Sequence, residues 1–586
     1  MTKRFTLYFV LAWLLTLLAA CDSGAPGGAT AVPSIPSNAI QISIVYAPEA
    51  KDYMVKIIQE FNDAYARGIN PVTGAAMASG ERPIFITGKD GSSGTMMQAI
   101  VNAFIAPNNT NVEKPTIFQP SVSHWLALAN HLSGQEIFNM AEARPTALAP
   151  VVIAIWESRL EAIKKTTGAS EIGWEELLKV LDAPGGWEDF GLVGARRAVF
   201  YGHTNPYVSS TGLSTLIAEF YASARKTGFT GRRLTLDVVK QPEVQEGVRN
   251  IEQLIRHYST RTTEFKNYIA QGPEYLDFVA LEENDLISIN RGLTQYKPPE
   301  KLIALYPKEG TFWHEHPSGV LNAPWVTDEQ RTAANVFTDY LLKPDQQAYI
   351  MTFGFRPANP DVPLGFPFEA QYGVTREGPA TVLDVPDPDV VAAIQESWSF
   401  VKKQADIMIL IDISGSMAQE NRLVQARTAA IAFIDRLESS NRVGLTVFDT
   451  DIKVLVPLDD LESNRERLRT TIEGLEPEGG TALFDATAEV MRTMDAEEPD
   501  SDRIRAVLLL SDGEDTESIR DNLTSTVQAI EATRNDLNPV ILIPVAYGSA
   551  ADVRTLDRLA DASNTTLQSG DPNNIQSLLE LISSYF

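Results

Sequence analysis

Two runs in the last third of the chain are apolar at every position, and each stops abruptly in a loop of oxygen-bearing side chains. Ile407 to Ile411 (IMILI) ends in Asp412-Ile413-Ser414-Gly415-Ser416, and Ala506 to Leu510 (AVLLL) ends in Ser511-Asp512-Gly513-Glu514-Asp515. Between them, Glu478-Gly479-Gly480-Thr481 opens a further helical stretch. An apolar run without alternation is a strand covered on both faces. Amphipathic helical patterns from about 418 to 438, 463 to 473 and 483 to 494 separate the loops. Strand, loop and helix repeated in this way predict a doubly wound α/β sheet over 404–586. In such sheets, sites form beyond the carboxyl ends of the strands.

The loops carry a coherent set of hard donors. Alternate residues of Asp-x-Ser-x-Ser can face one point, so Asp412, Ser414 and Ser416 form one group, with Thr481 and Asp512 supplied by the other loops. Two carboxylates with neutral hydroxyls suit Mg²⁺, which takes octahedral oxygen and keeps waters, or Mn²⁺. Histidine and cysteine are missing from these loops, which argues against zinc. Any single loop can be read as helix capping, because Asp and Ser are common caps. Three loops in order are not explained that way. The region is similar over its whole length to von Willebrand factor A domains, and the DxSxS, Thr and Asp parts of their metal-ion-dependent adhesion site fall on Asp412, Ser414, Ser416, Thr481 and Asp512. That resemblance implies a Rossmann-like fold. It also implies a protein partner whose acidic group completes the metal shell, and so adhesion, not catalysis.

At 586 residues the chain is too long for one core. Residues 40–365 alternate strand and helix patterns, which predicts an α/β unit with parallel sheets. Two of its turns share a design. Gly91-Ser92-Ser93-Gly94 and Val208-Ser209-Ser210-Thr211 each follow a strand and open a helix. Hydroxyls and unpaired N–H groups at a helix start can hold an oxyanion or carboxylate, or can simply cap the helix. The stretches Ser92-Ser93-Gly94, TNPYVSSTGLS (204–214), YPKEGTFW (306–313) and QQAYIMTFGFRP (346–357) resemble extracellular solute-binding proteins of the type II periplasmic-binding fold. The resemblance implies two lobes, one of 40–150 plus 305–365 and one of 151–304, with ligand in the cleft between them, and the paired Ser-rich turns favour a small anionic or polar solute there. The contact positions it implies are Ser92, Ser93, Ser209 and Ser210, with Tyr207 and Trp125 as further candidates. A core role suits Trp125 equally. Residues 366–403, punctuated by Gly378-Pro379 and Asp384-Val385-Pro386-Asp387-Pro388, read as a linker.

The N-terminus reads as an address. Lys3 and Arg4 precede an apolar stretch from Phe5 to Leu18, and Leu18-Ala19-Ala20-Cys21 follows. This ending resembles the lipobox of bacterial lipoproteins. It implies a signal peptide over 1–21, lipidation of Cys21, and attachment to the cell membrane on the extracytoplasmic side. Residues 22–39, rich in Gly, Ala, Pro and Ser, read as a flexible tether. A net charge of -27 repels phosphate backbones and excludes nucleic acid as a partner. There is no Gly-x-Ser-x-Gly motif and no evident nucleophile–base pair, so no enzyme is expected. His314 and His316, flanking Glu315, read as a solvated loop. The expected function is metal-dependent protein binding, with a cleft for a solute. The alternative is a receptor of an ABC-type transporter with the last domain as its docking module.

Overall fold

The computed structural model describes residues 35–105, 114–181, 183–195, 198–255, 258–259, 262–496, 503–511, 514–533, 539–547, 551–563, 565, 567–570, 579, 582 and 586. The expected signal peptide with Cys21, most of the tether and Asp512 lie outside the described residues. No helix among the described residues is long and apolar enough to cross a membrane.

Strands β1 (Ile40–Tyr46), β2 (Ile84–Asp90), β3 (Ile117–Gln119), β4 (Arg144–Pro145), β5 (Ala149–Trp156), β6 (Tyr201–Gly202), β7 (Phe278–Glu282), β8 (Leu302–Leu305), β9 (Trp313–His314) and β10 (Pro317–Val320) build two sheets. Their orders are β2-β1-β3-β10-β4 and β6-β7-β5-β8, with β9 paired to β5. Each sheet is the floor of one lobe. In the first lobe, helix Lys51–Ala66 buries Tyr53, Met54, Ile57, Phe61 and Tyr65, spaced at helical intervals along one face. These side chains share a core with Phe337 and Leu341 of helix Asp328–Leu341. That helix starts at a capping box of Thr327 and Gln330.

The sheets are mixed, which corrects the expectation of parallel ones. β1 pairs in parallel with β2 and β3, but β10 runs antiparallel to β3 and β4, and β5 antiparallel to β7, β8 and β9. The reason lies in the connections. A parallel neighbour needs a long crossover, whereas β5 and β10 are each entered directly from the other lobe. The chain crosses outward at 146–148 and returns at 315–316, and Thr146 N–H donates to the Glu315 carbonyl at 3.2 Å where the two passes meet. The second lobe thus extends to His314, beyond the expected boundary at 304, because β8 and β9 both pair with β5.

Residues 366–403 are folded against the first unit, not extended between units. Phe368 and Val374 enter the core of the second lobe, and Thr311 pairs with Val382. Helix Pro388–Val401 follows, burying Val390, Val391, Ile394, Trp398 and Val401. It packs on helix His124–Ser133 of the first lobe and on helices Ser210–Lys226 and Pro242–Glu252 of the second. The helix therefore spans the seam between the lobes. Its apolar contacts continue into the last domain, so no break separates the cores.

Among the described residues, the last domain holds a six-stranded sheet in the order β13-β12-β11-β14-β15-β16. The strands are β11 (Ala405–Asp412), β12 (Arg442–Phe448), β13 (Ile452–Asp460), β14 (Ile504–Ser511), β15 (Val540–Tyr547) and β16 (Gln568–Gly570). All pairs are parallel except β12 with β13 at one edge. Every residue of β11, β14 and β15 is buried, as strands covered on both faces require. This is the doubly wound arrangement expected from the sequence. The helix expected from about 418 begins as a 3₁₀ turn, Gly415–Asn421, and becomes α-helical at Arg422.

Candidate functional site

Asp412 is the last residue of β11, the strand flanked by β12 and β14, and is fully buried. Its carboxylate accepts the Ser414 N–H at 2.8 Å through one oxygen and the Ser511 hydroxyl at 2.7 Å through the other. The first bond curls the 412–416 loop back over the strand end, and the second ties β14 to β11. The Ser414 and Ser416 hydroxyls converge to 3.0 Å. Cis oxygens of an octahedral Mg²⁺ shell, with bonds of about 2.0–2.1 Å, stand about 3 Å apart. The two hydroxyls therefore fit adjacent positions of such a shell.

Two backbone bonds clamp the second loop to the first, Gly415 N–H to the Gly479 carbonyl at 3.1 Å and Glu478 N–H to the Ile413 carbonyl at 2.8 Å. Gly479 sits at φ +71°, and a Cβ there would press on Thr450 and Asp449. Thr481, two residues on, is buried. Its carbonyl takes N–H groups from Thr516 and Glu517, and its N–H donates to the Thr516 hydroxyl at 2.9 Å. Its side-chain hydroxyl is thus the atom it has to offer a ligand. The structure brings Asp412, Ser414, Ser416 and the Thr481 loop together, while Asp512 lies outside the described residues. Sequence reasoning missed Ser511 and Thr516, which position this site without being part of its motif.

The third loop is anchored by Asp485, at the start of helix Leu483–Ala496. Its carboxylate accepts the N–H groups of Ile519, Arg520 and Asp521 at 3.1, 3.0 and 2.6 Å and faces the Arg520 guanidinium at 3.4 Å. Burial raises its pKa, but these bonds outweigh burial and hold it below the usual carboxylate range.

In the first unit, Ser92, Ser93, Ser209 and Ser210 do meet. They line one cavity of about 10 Å³ between the lobes, with Glu49, Ser121, Thr211, Thr262 and Thr263. That is room for about one water molecule. Three helices begin on its wall, at Ser93, Ser210 and Thr262. The lobes are closed over it. Gly94 N–H of the first donates to the Val208 carbonyl of the second at 2.9 Å. A Cβ on Gly94 would lie 2.1 Å from the Tyr207 carbonyl, so only glycine permits this approach.

Two of the further candidates belong elsewhere. Trp125 is fully buried in the core, and its indole N–H donates to Ser210 Oγ at 2.9 Å, so it positions a cavity residue from behind. The hydroxyl of Tyr207 turns away, donating to the Gln395 carbonyl of helix Pro388–Val401 at 2.7 Å. Its backbone, not its ring, approaches the cleft.

Sequence reasoning missed Glu49. Burial, and then the charge of Glu282, holds its carboxyl well above the usual range. The reading of His314 and His316 as a solvated loop is overturned. Both are fully buried, and both reach Glu282, at 2.7 and 3.3 Å. They sit where the chain returns between lobes, and that junction is interior. His314 at the end of β9 and His316 in the crossover are therefore enclosed, while Glu315 between them is half-buried. Only the alternation of His with the apolar strand ends around it could have shown this.

The comparisons agree with this architecture. Residues 120–374 match the family model for bacterial extracellular solute-binding proteins, and residues 407–514 match that for the von Willebrand factor type A domain. The chain therefore carries a solute-binding region followed by a von Willebrand factor A domain. An uncharacterized protein of Synechocystis sp. is 31% identical over 109 residues, which are 19% of this chain and 25% of that protein. The chain thus matches about a quarter of that relative's length. Among solved structures, the sulfate-binding protein of Mycobacterium tuberculosis is 16% identical, covering 61% of this chain and 96% of its own, with a TM-score of 0.37. A solute-binding protein from Thermotoga lettingae, bound with α-D-tagatose, is 13% identical over 62% and 93%, with a TM-score of 0.43. A von Willebrand factor type A protein from Catenulispora acidiphila is 21% identical over 31% and 42%, with a TM-score of 0.28.

The anchoring role of Asp485 predicts a pH signature. Its folded pKa lies below an unfolded value of about 3.9, so its ionised form adds stability above that value and loses it as pH falls through the folded pKa. Asp485→Asn is expected to cost roughly 1–3 kcal/mol near neutrality and to flatten the acid limb of stability. Urea midpoints for both proteins from neutral to acid pH check this, and parallel profiles would remove the role.

Proposed function

We propose that the chain is a lipid-anchored, extracytoplasmic binding protein that engages a partner protein through a divalent metal. Asp412, Ser414, Ser416, Thr481 and Asp512 are its ligands, with Mg²⁺ or Mn²⁺ as the ion. The observation that carries this reading is the convergence of the Ser414 and Ser416 hydroxyls at 3.0 Å beside the buried Asp412 carboxylate. Asp412 supplies charge and holds the loop, and the hydroxyls set the geometry. The metal, when bound, supplies a positive centre that an acidic group of the partner completes. No step in this reading breaks a covalent bond, so the protein is a binding module and not an enzyme.

The cleft of the first unit is assigned a small anionic or strongly polar solute. Its walls are hydroxyls and helix N-termini, which favour an oxyanion or a carboxylate. Glu49 on the same wall does not oppose an anion, because burial and the charge of Glu282 hold its carboxyl toward the neutral form. A second reading makes the protein a receptor for an ABC-type permease, with the last domain docking it. The closed two-lobed cleft favours that reading. The lipid anchor at Cys21 fits both, and mass spectrometry of the membrane fraction reads it directly: an unmodified Cys21 contradicts it.

Capture of membrane proteins by the immobilised full chain separates adhesion from transport. Adhesion predicts a partner retained in Mg²⁺, released by chelation, and retained at least tenfold less by Asp412→Ala. Capture that survives both, or a partner that is the permease itself, contradicts it.

A further inference from the structure

Beside the hydroxyl-lined cavity, a carboxylate oxygen of Glu49, one of Glu282 and a ring nitrogen of His316 all lie within 4.8 Å of one another. They come from three places. Glu49 lies in the turn Pro48–Ala50 of the first lobe, Glu282 ends β7 in the second, and His316 lies in the chain's return between them. Glu282 and His316 are 1% and 0% exposed.

We propose that these residues form a site for one divalent transition-metal cation, of the Zn²⁺ or Mn²⁺ class, shared by the two lobes. The donor set decides the class. Two carboxylates and an imidazole suit first-row transition metals, whereas Mg²⁺ and Ca²⁺ favour all-oxygen shells. Glu282 already has both histidines as partners, and its charge raises the cost of ionising Glu49; a dication between the two acids would reverse that term.

The surroundings are those of ligands held for a metal. His314 Nδ1 lies 2.7 Å from Glu282 Oε1, and its Nε2 lies 2.9 Å from Ser214 Oγ, so Glu282 is oriented from behind. The Ser121 hydroxyl donates to Glu49 in the same way. A separate observation also points to a ligand. The Tyr53 hydroxyl is fully buried without a hydrogen-bond partner among the described residues, and its ring packs edge-on to Phe355, which also meets His316. The second nitrogen of His316, Nδ1, is likewise buried and unpartnered. Polar atoms are rarely left so unless an ion or water completes them.

A groove of about 550 Å³ reaches Glu49, with Asp52, Asp90 and Asp285 along it. Its lysines are engaged, Lys51 with Asp90 at 3.0 Å and Lys266 with Asp285 at 3.2 Å. Phe355 lines the groove and sets its ring edge-on to His316. On the other side, the 10 Å³ cavity bordering Glu49 has room for about one water to join the shell. Because Glu49 and Glu282 belong to different lobes, binding the cation and closing the cleft become one event. The proposal goes beyond the reading of the cleft, since it places the cation beside the hydroxyl-lined cavity and not in it, and it is independent of the Asp412 site.

The test is calorimetric titration of Zn²⁺ into the full chain in excess Mg²⁺, with circular dichroism confirming the fold of each variant. Wild type and Asp412→Ala should each bind one equivalent. Glu49→Gln and His316→Gln should each weaken that binding at least tenfold. If His316→Gln does not fold, Glu49→Gln carries the test, because its side chain is only partly buried and keeps its shape. Small-angle scattering should show the wild type more compact with Zn²⁺ than without. No Zn²⁺ binding in excess Mg²⁺, binding unchanged by Glu49→Gln, or binding lost only in Asp412→Ala would overturn the proposal. Loss in Asp412→Ala alone would move the Zn²⁺ to the other site and leave the adhesion reading standing.

Discussion

The carboxylate of Asp412 is placed where a charge is most costly, at zero exposure on the end of an interior strand. Much of the last domain answers to that position. The Ser414 N–H and the Ser511 hydroxyl each take one of its oxygens. The curl of the first loop and its clamp to the second through Gly415 and Gly479 follow from holding those bonds. Removing such an acid and filling its place with an apolar side chain would simplify the fold. Two hydroxyls are gathered beside it as well, and it is on this arrangement that the proposed metal site rests.

The first unit is organised around a different constraint, the closeness of two lobes. Gly94 lets one backbone touch the other, and Trp125 reaches across to Ser210. Helix Pro388–Val401 then lies over both lobes and leads directly into β11. Gln395 makes this physical, with its amide donating to the Pro206 carbonyl at 2.8 Å and its own carbonyl accepting from Tyr207. The loop that carries Ser209 and Ser210 is thus held by the element that begins the last domain. A stretch rich in proline and aspartate acts as a packed joint.

The sequence was most legible where one local pattern decides the outcome. IMILI and AVLLL have to be doubly covered strands, and DISGS has to follow the first of them. The paired serines also met in one cavity, because each strand–turn–helix unit places its turn at the edge of its own lobe's sheet and the closed lobes bring the two edges together. It was least legible where distant segments decide. Glu49, Thr262 and Ser121 carry no motif and reach the cavity only through the packing of the lobes. His314 and His316 look polar and local in sequence, yet β9 and β10 place them in the interior, against an acid more than 30 positions away. Helix 388–401 was seen as a helix, but its burial depends on faces contributed by both lobes. Mixed strand direction was missed because direction follows from which lobe the chain arrives from.

Everything assigned to the last domain turns on whether Asp412 and its neighbours hold a metal. Diffraction from crystals grown with Mn²⁺, recorded for anomalous signal, tests it most directly. A peak is expected within coordinating distance of the oxygens of Ser414 and Ser416, with Asp412, Thr481 and Asp512 around it and at least one position held by water or an acidic group. Well-ordered loops with no anomalous peak between them, at Mn²⁺ concentrations in the millimolar range, would contradict it.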